Sequence, residues 1–387
     1  MPRIRLLSRI GLIASWLAGA MPVHAHDSAG SLMTAKDTVL LARHIVPRRK
    51  DPDGWGKAVW DALDKNGISP KRTNICAVMA VIEQESTFTP NPEVKGLGRM
   101  AEKEITGKLG SVPLLPGPAA QGAKWFLENR PSPQKSYLKR IRAARTERDL
   151  DLVFRNLTFY LFREYATTGL LNSSTVARRV DAANPVSTIG SMQVSVAFAI
   201  AEVEKAKGRK LQMNAIWKLR DELYTRAGGV DYGTRMLLKY HAGYESRLYV
   251  FADFNAGRYA SRNAAFQHMV ATLSGEKLAL DGDLLIYSGA KPAARTSGTE
   301  TAVRKILPEL SSAEIRADLL RGKEYGFRDT AAFLQVSELY RAKTGKPAPA
   351  AMVPQIRLES PKLSKSMTTE RFARAVTARY ERCLKFE

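Results

Sequence analysis

The chain has 387 residues, 44% of them hydrophobic, and a formal net charge of +22, so it holds enough apolar material for one large core or two ordinary domains. Such a positive excess favours anionic partners: nucleic acid, lipid headgroups or acidic cell-wall polymer. Its five histidines show no metal-ligand spacing, which argues against a zinc centre, and no cofactor is expected.

In chain order, the first segment is a leader. Arg3, Arg5 and Arg9 form a basic start, Ile10 to Ala20 is a short apolar run, and Val23-His24-Ala25 offers a small-residue cleavage site. Residues 1–25 read as a cleaved secretory signal peptide, directing the protein to the periplasm. Cleavage removes three arginines and no acids, leaving +19. Export sets nucleic acid aside as a partner. Later apolar runs fall short of the roughly 18 to 20 residues that a spanning helix needs, so no membrane span is expected. Because no cysteine follows the cut, a lipid-anchored N-terminus is not expected either.

Trp55 to Leu63 reads as a first helix, and Asn74 as the cap of a second, "CAVMAVIEQESTF". Gly, Pro and Leu crowd between Gly96 and Gly122, which reads as loop. The run Lys135 to Arg148 is strongly basic with one interleaved aromatic, Tyr137, and reads as a solvated helix face that could meet an anionic envelope surface. Asp149 to Tyr165 is amphipathic. A turn from Asn184 to Gly190 precedes an apolar helix from Met192 to Val203, and Asp231 to Tyr240 and Leu248 to Phe254 are helical. Near Leu278 a strand-like piece and a Gly/Ser/Pro-rich stretch mark a domain boundary. Helices follow at Ser312 to Gly322 and Thr330 to Thr344, then a Pro-rich link from Lys346 to Pro354, and a last helix from about Thr368 to Leu384.

The two cysteines, Cys76 and Cys383, are an even count for an oxidising compartment and invite a disulfide from the apolar helix to the last one. Two separate thiols are the alternative.

From Cys76 to Ile82 the second helix is apolar without a break, and then Glu83 and Glu85 arrive. A helix apolar on all sides is buried, and its C-terminal end is poorly solvated and carries the negative end of the dipole. Both effects keep a carboxyl protonated to higher pH, as a general acid for glycosidic cleavage requires. This reasoning does not choose between Glu83 and Glu85, and two acids leaning into water remain the plain alternative.

"IEQESTFTPNP" resembles the Glu-Ser motif of the lysozyme-like (SLT-type) lytic transglycosylases. "IGSMQV" (Ile189 to Val194) is similar to their Gly-x-Met-Gln motif, and "FNAG" (Phe254 to Gly257) to their Tyr-Asn-Ala-Gly motif. "AGGVDYGTRMLLKY" resembles the helix between the last two motifs. The resemblance covers roughly Asn74 to Phe266. It implies a mainly α fold: a lysozyme-like domain over 26–277 with a helical insertion at about 96–183, and a C-terminal helical extension over 278–387. It implies Glu85 as general acid/base, with Ser86, Gly190, Met192, Gln193, Phe254, Asn255, Ala256 and Gly257 as substrate-binding positions. The implied substrate is peptidoglycan glycan strands, cut to leave 1,6-anhydromuramyl ends with the sugar's own 2-acetamido group in place of a second acid.

Two departures stand out. The stretch from Glu85 to Gly190 is several times longer than the family's spacing, and Phe254 replaces a Tyr. The layout also resembles a family of uncharacterised Gram-negative envelope proteins, often lipoproteins, although the lipid-acceptor Cys is missing here. A non-cutting, lysozyme-like protein that binds cell wall or an envelope partner is the alternative reading. The fragments "SYLK", "SRN" and "KTG" follow the order of penicillin-binding enzymes, but KTG ends a helical run in which Gly345 is better read as a C-cap.

Overall fold

A computed structural model describes residues 31–111, 117–288, 291–358 and 367–386. The leader and its cleavage site lie outside these residues. The fold is mainly α, with three two-stranded hairpins among the described residues.

Helices α1 (Ala35–Ile45), α2 (Pro52–Lys65) and α3 (Arg72–Ser86) open the chain. Every residue of α3 from Ile75 to Ile82 is buried, so this helix has no solvent face over two turns. Asn74 lies inside α3 rather than capping it; its Nδ2 donates to the Ser69 carbonyl at 2.9 Å.

Next come α4 (Leu97–Ser111), α5 (Gly117–Asn129), α6 (Tyr137–Ala143), α7 (Glu147–Tyr165) and α8 (Ser174–Ala182). The loop expected over Gly96 to Gly122 is thus largely helix. Leu97 and Ala101 are buried with Met100 and Ile105 beside them, a helical stripe that the glycines obscured. Gly98 serves close packing rather than a turn, since a Cβ there would lie 2.2 Å from the Arg142 carbonyl oxygen. The basic run is part of α6 and the start of α7, and Lys135, Lys139, Arg142, Arg145 and Arg148 are exposed.

Hairpin β1–β2 (Thr188–Ile189, Val194–Ser195) leads into α9 (Val196–Lys207), so the helix expected from Met192 begins four residues later, after the hairpin. α10 (Met213–Leu223), α11 (Arg226–Leu238) and α12 (Arg247–Ala256) complete this half. Beneath it Asp151 of α7 is fully buried and accepts from Arg155 at 2.5 Å, Arg220 at 2.9 Å and Asn184 at 2.7 Å. That network ties α7 and α10 to the segment entering the hairpin. A buried charge held by three donors is costly to disturb.

α13 (Ala260–Ser274) starts a second hydrophobic cluster with the hairpin β3–β4 (Tyr287–Ser288, Lys291–Pro292), α14 (Gly298–Ile306), α15 (Ser312–Leu320) and α16 (Ala331–Thr344). After the hairpin β5–β6 (Arg357–Leu358, Met367–Thr368), α17 (Thr369–Leu384) returns to the first cluster and packs on α3 and α12. Cys76 and Cys383 form a disulfide, with Cα atoms 5.5 Å apart. Arg262 fastens the start of α13 to the segment between α15 and α16. Its guanidinium lies 4.4 Å from the Tyr259 ring and 5.0 Å from the Phe327 ring, and donates to the carbonyls of Gly322 and Glu324.

Of the penicillin-binding fragments, Ser136 caps α6, Lys343 donates to the Thr272 carbonyl and Gly345 caps α16 at φ 68°. Among the described residues, no helix is long and apolar enough to cross a membrane.

Candidate active site

Helix α3 ends abruptly. Thr87 and Phe88 both take left-handed backbone angles, φ 48° and 57°, and Phe88 is buried edge-on against Trp55. A β-branched residue there is strained, and such strain persists only where the surroundings enforce it. The stop leaves the last turn of α3 at a cleft of about 1440 Å³ between the two clusters.

The turn separates its two acids. Glu83 faces α17, where Arg382 Nη2 donates to both of its carboxylate oxygens at 2.5 and 2.6 Å. Glu85 lines the cleft instead. Among the described residues, none donates a hydrogen bond to its carboxyl. Burial, and then the nearby charge of Glu147, push Glu85 up to about 8. Its carboxyl therefore carries a proton at neutral pH.

Facing it is the β1–β2 hairpin, whose turn is Gly190 to Gln193. Gly190 has φ 83°, and a Cβ there would lie 2.3 Å from the Leu223 carbonyl oxygen. Met192 is fully buried beneath the turn. Gln193, also left-handed at φ 48°, lines the cleft. Thr188 Oγ1 donates to Gln193 Oε1 at 2.8 Å, which turns the amide so that Nε2 donates to Glu147 Oε2 at 3.1 Å. Glu147, the first residue of α7, is 5% exposed and lines the same cleft.

The end of α12 supplies Phe254, Asn255, Ala256 and Gly257 to the cleft wall. Asn255 Oδ1 accepts from Thr369 Oγ1 at 2.9 Å, so the first residue of α17 orients it. Just before them Asp253 is buried. It accepts from the Tyr240 and Tyr244 hydroxyls and from the Tyr259 and Ser261 N–H groups, an arrangement that folds the α12–α13 turn. Asn263, Asp283 and Lys323 from the second cluster, with Arg357 of β5, form the far wall. Burial raises Asp283 above the usual carboxylate range. Among the described residues, no group of three or more His, Cys, Asp and Glu could hold a metal ion.

The cleft thus gathers Glu85, Gln193 and Phe254 to Gly257. It does not gather Ser86, whose Oγ donates back to the Ile82 carbonyl at 3.0 Å and accepts from Thr89 N–H. Gly190 and Met192 shape the hairpin from beneath without reaching the cleft. The charged far wall and Glu147 are additions that sequence reasoning missed. Glu147 had no distinguishing signal, because an acid in the first turn of a helix is commonplace.

Comparison with known proteins places the chain in a family. A family model described as a protein of unknown function (DUF1615) matches residues 48–386. The "Uncharacterized protein YaiW" of Escherichia coli (strain K12) is 37% identical over 388 residues, covering 100% of both chains. No solved structure matches.

Proposed function

The chain belongs to the DUF1615 family, and from its cleft we propose that it is a lysozyme-like lytic transglycosylase of peptidoglycan, with Glu85 as general acid/base. One observation carries this reading: a carboxyl at the end of a buried helix keeps its proton to about pH 8 and opens onto a cleft shared by the two other motif segments. Glu85 would protonate the glycosidic oxygen as the bond from muramyl C1 breaks. The substrate's 2-acetamido group would stabilise the positive charge. Glu85, now a carboxylate, would take the proton of the muramyl 6-hydroxyl as that oxygen closes the anhydro ring. Gln193 and Asn255, each held by a threonine hydroxyl, offer amides along the cleft for sugar hydroxyls and acetamido groups. The disulfide supports a periplasmic location, since such bonds persist in oxidising compartments.

A second reading is a cell-wall or envelope-partner binder that no longer cuts. Phe254 favours it, because a ring without a hydroxyl leaves Glu85 no phenol to bond. Digestion of purified peptidoglycan, with products weighed by mass spectrometry, decides between the two. Glu85→Gln should lower release of anhydro-ended muropeptides by about 10²- to 10⁴-fold. Glu83→Gln, turned about 160° away on the helix, should stay within a few fold of wild type. Equal, negligible release by wild type and Glu85→Gln would leave binding as the function.

A further inference from the structure

The long stretch between the first two motifs returns a carboxylate to the cleft. Residues after α3 run beside those before α7: Glu93 bridges Thr146, and Val94 N–H donates to the Arg145 carbonyl at 2.9 Å. This contact sets Glu147 on the cleft that Glu85 also lines. Gln193 holds Glu147 from the hairpin side.

The two carboxyls occupy opposite kinds of helix end. Glu85 lies in the last turn of α3 and Glu147 is the first residue of α7, so the two reach one cleft from a helix C-terminus and a helix N-terminus. Glycosidases that admit water use such a pair.

Resting on the reading of the cleft as a muramyl-bond-cutting site, we infer that Glu147 is a second catalytic carboxylate, the base for a water that attacks muramyl C1, so that free reducing ends are released beside anhydro ends. Glu85 gives its proton to the glycosidic oxygen as the C1–O bond breaks. The water oxygen bonds to C1, and its proton passes to Glu147. One water is consumed per bond cut, and a proton returns from Glu147 to Glu85 through solvent. The anhydro route uses the 6-hydroxyl in place of water and needs Glu85 alone.

Digestion of purified peptidoglycan in ¹⁸O-water tests this, with mass spectrometry of products from wild type, Glu147→Gln, Glu147→Asp and Glu85→Gln. Wild type should yield ¹⁸O-labelled reducing ends together with unlabelled anhydro ends. Glu147→Gln keeps an oxygen for Gln193 to bond but cannot take the proton. Its ratio of labelled to anhydro ends should fall at least tenfold, with Glu147→Asp intermediate, while Glu85→Gln loses both products. A thermal melt confirms that each variant is folded. Anhydro ends alone from wild type, or an unchanged ratio in Glu147→Gln and Glu147→Asp, would remove Glu147 from the reaction and leave the transglycosylase reading intact. No release of either product by wild type would overturn that reading and this inference together.

Discussion

Replacing Glu85 by Gln removes an ionisation that opposes folding, and the size of the gain follows from the site. The unfolded carboxyl titrates near 4.5, whereas burial and the charge of Glu147 raise it to about 8 in the fold. Between those values the folded chain holds a proton that the unfolded chain has released. Rising pH therefore favours unfolding across this window, the reverse of a salt-bridged carboxylate. At ~1.4 kcal/mol per pH unit, stability should fall by about 4 kcal/mol between pH 5 and pH 8.5 on account of this one group, an upper figure because water in the cleft softens the penalty. Glu85→Gln should escape that loss. Urea unfolding of both proteins at pH 5, 6.5, 7.5 and 8.5 should give curves that nearly meet at pH 5, with the variant increasingly more stable above it. Parallel stabilities across the range would show that Glu85 is ionised at neutral pH, and the case for a general acid would fail. No substrate is needed, so the result stands apart from any assay of cell-wall cutting.

Two further outcomes follow from the framework around the site. The Cys76–Cys383 bond closes a loop of 307 residues, for which chain entropy gives about 5 to 6 kcal/mol; because cross-links commonly deliver less, Cys76→Ala with Cys383→Ala should cost about 2 to 5 kcal/mol, and reductant should lower the melting temperature of wild type but not of the variant. Identical responses to reductant would mean that the bond is not formed. Gly190→Ala puts a Cβ against the Leu223 carbonyl at a left-handed backbone angle, so urea unfolding should show a loss of about 2 to 5 kcal/mol, and a change below ~0.5 kcal/mol would contradict the hairpin geometry.

The sequence made α3 legible because its signal is local: an apolar run unbroken over two turns can only be a buried element. Burial and dipole alone do not choose between Glu83 and Glu85, and only the motif resemblance points to Glu85; the physical difference depends on Arg382 arriving from the far end of the chain to pair with Glu83. The resemblance implies Ser86 as a contact for substrate, yet a serine at a helix end readily bonds its own backbone, as Ser86 does at Ile82. The helices α4 and α5 were hidden because glycine marks both turns and close helix contacts, and only the packed neighbour tells them apart. Glu147 was invisible for a related reason. Its place at the cleft is set by pairing between residues 93–94 and 145–146, a contact across the chain with no periodic trace.

The return of α17 also fixes an order of events in time. Helix α3 is made early in synthesis, but one flank is covered by residues 369–384, which are made long after it. Asn255 and Glu83 likewise wait for Thr369 and Arg382. Contacts between such distant parts of a chain form slowly, because a long loop must close before any of them contributes. A chain still being translated, or one cut short before α17, thus has an unfinished cleft. Assembly of the site therefore reports that the chain has been made at least through α17.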